Sequence, residues 1–113
     1  MGQRTFDRKF GAALVEHLPT GPGIYLFRDA EQRVLYVGKA NNVKRRLQSY
    51  RTASRRKCHR KMRTLVRAAA SVEVRGLPSE RAALLEENAL IRGLRPAYNV
   101  DGAFTFLYPA VGT

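Results

Sequence analysis

Apolar residues recur along this chain with two different periods, and the changes of period mark its elements. Phe6, Phe10, Leu14 and Leu18 stand four apart, which predicts a short helix from Phe6 to Leu18. Pro19-Thr20-Gly21-Pro22 ends it. Gly23 to Arg28 and Arg33 to Lys39 are β-rich runs around Asp29-Ala30-Glu31-Gln32, so they predict a hairpin. If Arg28 opposes Arg33, Phe27 faces Val34 and Tyr25 faces Tyr36. The two phenols are then cross-strand neighbours, ~5 Å apart at Cβ. Asn41 or Asn42 caps a helix running to about Arg51, with Val43, Leu47 and Tyr50 as its apolar stripe. A second basic helix is expected over Ser54 to Ala70, with Met62, Leu65, Val66 and Ala69 inward. Ser71 to Arg75 alternates and reads as a third strand. Ser79 caps a last helix that stops at Gly93, with Pro96 behind it. After a turn at Asp101-Gly102, Phe104 to Tyr108 reads as a short closing strand.

Length and charge change this picture in one direction. A chain of 113 residues is one domain, large enough for a real core. Twenty-one Lys and Arg against nine Asp and Glu give a net charge of +12, which points to a polyanionic partner. The bases are unevenly placed, with no acid between Glu31 and Glu73. A solvated helix face is the bland reading of such a run, and the missing acids weigh against it. A membrane-surface helix needs an apolar face opposite the charge, and residues 51 to 63 have almost none. Cys58 is the only cysteine, which excludes an internal disulfide. No 18-residue apolar stretch and no N-terminal signal core are present, so a soluble, cytoplasmic, nucleoid-associated protein is expected, with no membrane partner.

The candidate chemistry lies in a few positions. A phenol has an ordinary pKa of about 10 and needs a cationic setting before it accepts a proton near neutral pH. Tyr25 and Tyr36 stand in such a setting. On the last helix, Ala83, Leu84, Leu90, Ile91 and Leu94 all fall within about 60° of Glu87 at 100° per residue. A carboxylate in the middle of an apolar stripe is costly unless it is paired or binds a metal. Two readings stay open: an ion pair with Arg46 or Lys39, and a site for one divalent cation. One carboxylate suits Mg²⁺, which keeps several waters and takes further oxygens from phosphate. Arg46 lies at the edge of its helix's buried stripe, where it either clamps a phosphate or merely snorkels. Lys39 either contacts phosphate, lowers a phenol pKa or is an ordinary surface lysine. Asn99 either orients a group of the site or is a turn residue.

Other chemistries lack their residues. Cys58-His59 has no second ligand pair at zinc spacing. Gly21-Pro22-Gly23 lacks the spacing and the Lys-Ser/Thr pair of a phosphate loop, and no Gly-x-Ser-x-Gly elbow occurs.

Gly23-Ile24-Tyr25, Tyr36-Val37-Gly38, Lys39-Ala40, Arg46, Tyr50, Glu87 and Pro96-Ala97-Tyr98-Asn99 together resemble the GIY-YIG nuclease domain. Tyr36-Val37-Gly38-Lys39-Ala40 and Leu84-Leu85-Glu86-Glu87-Asn88 are most similar to the N-terminal domain of UvrC and to its relative Cho, both of bacterial nucleotide excision repair. The resemblance covers roughly residues 19–100, leaving 101–113 as a tail. It implies an α+β fold, a small central antiparallel sheet of about three strands flanked by helices. It also implies a DNA endonuclease that hydrolyses one strand with a single Mg²⁺ or Mn²⁺. Carried over by position, Glu87 binds the metal and Arg46 holds the scissile phosphate. Tyr25, Tyr36 and Lys39 activate or position the attacking water, Tyr50 supports the phosphate side, and Asn99 braces the site. Lys44, Arg45, Arg51, Arg55, Arg56, Lys57, Arg60, Lys61 and Arg63 are the expected DNA contacts. A damage-recognition protein is an expected partner. Against that family's pattern a departure is expected after Val100, where Asp101 to Leu107 stands in place of a charged run, and the family's further domains are expected to be missing. The alternatives are a non-catalytic DNA-binding module of the same shape, and a structure- or sequence-specific nuclease outside repair.

Overall fold

The structure is a computed structural model that describes residues 5–11, 13–52 and 60–100. The predicted Phe6–Leu18 helix is shorter than its periodicity implies. Helix α1 spans Thr5–Phe10, and a single 3₁₀ turn follows at Val15–His17. The break is Gly11, whose φ of 98° is open to glycine and strained for other residues; its N–H donates to the Asp7 carbonyl at 2.9 Å.

Strands β1 (Gly23–Arg28) and β2 (Val34–Ala40) form the expected hairpin, and β3 (Ser71–Gly76) adds to the other side of β1. All pairings are antiparallel, in the order β2-β1-β3. The hairpin register differs from the expected one. Tyr25 opposes Gly38 and Phe27 opposes Tyr36, and a bulge at Leu35 then brings Arg28 opposite Val34. The turn dictates this shift. Asp29 Oδ1 accepts from the N–H groups of Glu31 and Arg33, both at 2.9 Å, and Gln32 takes a left-handed φ of 70°. A shift of two residues preserves the faces, so Tyr25 and Tyr36 still share one, as diagonal neighbours.

The other elements follow their stripes. Helix α2 (Val43–Arg51) starts at Asn42, whose side chain accepts from the Arg45 N–H at 3.0 Å, and it buries Val43, Leu47 and Tyr50. Helix α3 (Arg60–Ala68) turns Leu65 and Val66 inward, with Ala69 buried just beyond it; the earlier part of the predicted helix, from Ser54, lies outside the described residues. Helix α4 (Glu80–Leu94) begins at the Ser79 cap, runs through Gly93 and ends at Arg95, whose φ is 46°. Pro96 explains the stop, because the residue before a proline is disfavoured in the right-handed helix. A last turn, α5 (Ala97–Val100), lies against β2. The closing strand expected at Phe104–Tyr108 lies outside the described residues.

Alternation splits the core into two layers. Tyr25, Phe27 and Tyr36 pack with Val43, Leu47, Tyr50, Leu65 and Phe6 on one sheet face. Ile24, Leu26 and Val37 pack with Ala83, Leu90 and Ile91 of α4 on the other. The α4 stripe is narrower than its periodicity predicts, because Leu84 and Leu94 are exposed. Charge ties β1 and β3 to α4 on the second of these faces. Glu73 accepts from Arg28 at 2.5 Å and from Arg75 at 2.7 Å, and Arg75 also reaches Glu86 at 3.1 Å. Those bonds, Arg75 first, hold the Glu73 carboxyl below its ordinary range. Lys9 of α1 donates to the Val66, Arg67 and Ala69 carbonyls at the end of α3, which closes the helical layer. Among the described residues no helix is long and apolar enough to cross a membrane.

Candidate active site

Tyr25 stands in the middle of β1, and its cross-strand partner is a glycine. A ring can lie over a glycine where any β-carbon would block it. An added Cβ at Gly38 would stand 2.4 Å from Cζ and 2.5 Å from the hydroxyl oxygen of Tyr25. The phenol therefore runs over β2, where α2 meets it. Tyr50 Oη lies 3.2 Å from Tyr25 Oη, and the ring centroids of Tyr50 and Tyr36 are 5.6 and 6.2 Å from that of Tyr25. Three phenols thus converge on one side of the sheet, each at most 3% exposed.

Arg46 enters this cluster from the turn of α2 before Tyr50, its charge and hydrogen bond acting on the Tyr25 hydroxyl while the residue as a whole stays exposed. Glu87 enters from α4. It is 4% exposed, the only buried charged residue among those described, and its charge is felt at Tyr25. Helical spacing placed Glu87 on the inward face next to Ala83, and the structure puts it there. Burial is the largest influence on Tyr25 and pushes its pKa up. The Arg46 charge and the Tyr50 bond pull it down, and the Glu87 charge pushes it up again; the net direction is upward. Burial thus favours the neutral form of the Tyr25 phenol.

Lys39 stands elsewhere. It opposes Ile24 and is exposed on the α4 face, so Arg46, not Lys39, is the cation on the Tyr25 phenol. Its distance of three residues from Tyr36 requires this, since strand side chains alternate.

Asn99 acts on backbone. Its Oδ1 accepts from the Val37 N–H at 2.8 Å and its Nδ2 donates to the Val37 carbonyl at 2.9 Å. β2 is an outer strand, and this pair satisfies its edge at the residue between Tyr36 and Gly38. Asn99→Ala removes both bonds, at about 1 kcal/mol each, and is expected to lower Tm by roughly 5–10 °C. Hydrogen exchange should quicken at the Val37 amide ahead of the amides paired within the sheet. An unchanged Val37 rate would show that the side chain carries no restraint.

The expected DNA contacts divide. Arg45 and Arg60 are exposed and Lys44 is half-buried. Arg51 turns inward and donates to both Asp7 carboxylate oxygens, at 2.7 and 3.2 Å, so it joins α1 to α2. Arg63 is half-buried, with its Nε shielded from solvent. Lys61 lies on α3, and Arg55, Arg56 and Lys57 lie outside the described residues. Two contributors carry no motif of their own: Asp7, which anchors Arg51, and the Val37 backbone, which receives Asn99.

Among the described residues no group of three or more His, Cys, Asp or Glu gathers to hold a metal. Among those residues Glu87 is the buried carboxylate, and a single carboxylate fits a hard cation that keeps its other positions for water and phosphate.

Known proteins resemble this chain in sequence and in fold. The UvrABC system protein C of Hydrogenovibrio crunogenus is 39% identical over 112 residues, which is 95% of this chain and 18% of that protein. The protein of the same name from Legionella pneumophila is 47% identical over 89 residues, 79% of this chain and 14% of that protein. The chain thus spans less than a fifth of the curated relatives it matches. Among solved structures, the GIY-YIG N-terminal endonuclease domain of UvrC from Thermotoga maritima, bound to its catalytic magnesium, superposes with a TM-score of 0.69 at 28% identity. That match covers 88% of this chain and all of that one. The model of the UvrC-like GIY-YIG domain matches residues 21–100, the span from the turn before β1 to the end of α5. With its buried glutamate, its phenols and its sheet order in place, this chain belongs to the UvrC-like GIY-YIG domain family.

Proposed function

We propose that this chain is a divalent-metal-dependent endonuclease domain that hydrolyses one strand of DNA, as in the incision step of nucleotide excision repair. The observation that carries the reading is Glu87, a carboxylate of α4 buried at 4% exposure, whose charge acts on the Tyr25 phenol together with that of Arg46. A carboxylate at that depth is costly unless it is paired or binds a cation, and a cation shared with a phosphate satisfies it. Glu87 would hold a single Mg²⁺ or Mn²⁺, which when bound would stabilise charge building on the phosphate oxygens.

The chain's own residues do the rest. Arg46 would hold the scissile phosphate against the site and offset its charge. Tyr25 would donate from its protonated hydroxyl, with Tyr50 fixing the direction of that bond. Tyr36, on the same sheet face, would position the attacking water or take its proton, and Lys39 would meet phosphate from the α4 side. Asn99 would keep β2 straight between Tyr36 and Gly38. The relatives belong to a UvrABC system, which supports a damage-recognition protein as partner and chromosomal DNA in the cytoplasm as the place of action.

Arg45 and Arg46 separate binding from turnover. They are adjacent on α2, and only Arg46 reaches Tyr25. Arg45→Ala should weaken DNA binding severalfold and leave single-turnover nicking at saturating protein unchanged. Arg46→Ala should cut that rate on the order of 10²-fold, the scale of one lost oxyanion donor. Equal effects of the two on rate would sink the assignment of Arg46 to the scissile phosphate.

A further inference from the structure

Away from the phenols, the β1–β2 turn and the carboxyl end of α4 enclose a groove of about 740 Å³. Its size is that of a ligand site, about 300–1,000 Å³. Three arginines line it, Arg28, Arg33 and Arg95, against one acid, Asp29. Leu35 and Leu94 give it an apolar floor, and Leu94 is 50% exposed. Arg28 is held by Glu73, and Arg33 by Asp29 and Glu31. Arg95 has no acidic partner among the described residues.

Arg95 is also in the wrong backbone for its type. Its φ of 46° is the left-handed region, where a helix end ordinarily places glycine or asparagine. Pro96 explains why the helix stops there, but not why an arginine fills the position. Strain kept at a groove rim marks a side chain wanted for what it contacts.

The groove lies in line with the proposed site. Strand β2 supplies Tyr36 and Gly38 to one and Val34 and Leu35 to the other, and α4 supplies Glu87 to one and Leu94 to the other. From Glu87 to Arg95 the helix rises about 12 Å, which is three to four nucleotides at about 3.4 Å each. The carboxyl end of α4 by itself repels phosphate, so the guanidinium groups have to supply the attraction.

We infer that this groove seats the DNA strand three to four nucleotides from the cut, with Arg95 on a phosphate and Leu35 and Leu94 against the nucleotide. The inference rests on the proposed nuclease reading for its occupant, and its test does not need cleavage. A strand crossing both sites is favoured over an acidic peptide because the two sites share a strand and a helix and the chain carries +12.

The test is Arg95→Gly, which relieves the strained backbone while removing the cation. Tm should rise by roughly 4 °C. DNA affinity, measured by anisotropy of a labelled duplex in EDTA, should fall severalfold. The slope of log K against log salt should flatten by about 1, from a parent value near −5 for about six phosphates. A raised Tm with unchanged affinity and salt slope would overturn the inference and leave the groove to a protein partner. A parent that binds and never nicks, with the slope still flattened by Arg95→Gly, would sink the nuclease reading and keep the groove. A parent that does not bind DNA would sink both.

Discussion

Glu87→Gln should abolish nicking while leaving the fold and DNA binding in place. The two side chains are nearly the same size, so the packing beside Ala83 is kept and only the charge goes. A bound metal supplies several kcal/mol to a phosphoryl transition state. Loss of about 4 kcal/mol corresponds to a rate reduction near 10³-fold, and the residual rate should no longer respond to Mg²⁺ or Mn²⁺. DNA affinity in EDTA should not fall, because a negative charge facing phosphate has been removed. Circular dichroism and Tm check the fold, and gel retardation in EDTA checks binding. A variant that cuts at close to the parent rate would remove Glu87 from the metal site.

Gly38→Ala should produce the second largest loss, through a residue that bears no side chain at all. Carbon atoms in ordinary contact stand about 3.5–4.0 Å apart. The added methyl would stand 2.4 Å from Tyr25 Cζ, so the ring must move by about 1 Å or more. Displacement on that scale costs about 10²-fold where geometry matters. Overpacking should also destabilise the fold by about 1–3 kcal/mol. What separates positioning from mere destabilisation is a double-mutant cycle with Tyr25→Phe. If Gly38 acts by placing the Tyr25 hydroxyl, the second change adds little to the loss of kcat once the hydroxyl is gone. Full additivity in kcat, with KM unmoved in every variant, would show that Gly38 serves packing alone.

The two residues show what can be read in a sequence and what cannot. Glu87 is legible because helix geometry is local: seven residues of context fix its face, and a charge among leucines stands out. The same locality made α2 legible, from the Asn42 cap to the Val43, Leu47 and Tyr50 stripe, and the three strands fell close to their predicted limits. Gly38 is illegible because its role depends on register. Register here is set by the Asp29 turn and the bulge at Leu35, which keep Tyr25 and Tyr36 on one face but carry Val34 to the α4 side and Leu35 to the phenol side. Asn99 is hidden for a related reason. Its partner is the Val37 backbone, which has no sequence signature, and it comes from 62 residues away. Arg51 looks like one more base in an acid-free run until Asp7 arrives from α1. The first helix fails on a legible feature, since Gly11 interrupts a good apolar period. Its fourfold spacing also continues past the break, through the half-buried Leu14 and Leu18, which pack on the same core as Phe6 without being helical with it.

The most direct test of the whole account is conversion of supercoiled plasmid to open circle by the purified chain at increasing excess, in Mg²⁺, in Mn²⁺ and in EDTA. Single-strand nicks are expected with either metal and none in EDTA, and Glu87→Gln should nick about 10³-fold more slowly than the parent, at a rate that neither metal raises. Nicking that persists undiminished in EDTA, or a complete lack of nicking by a parent chain that binds the plasmid in Mg²⁺ and Mn²⁺, would contradict it.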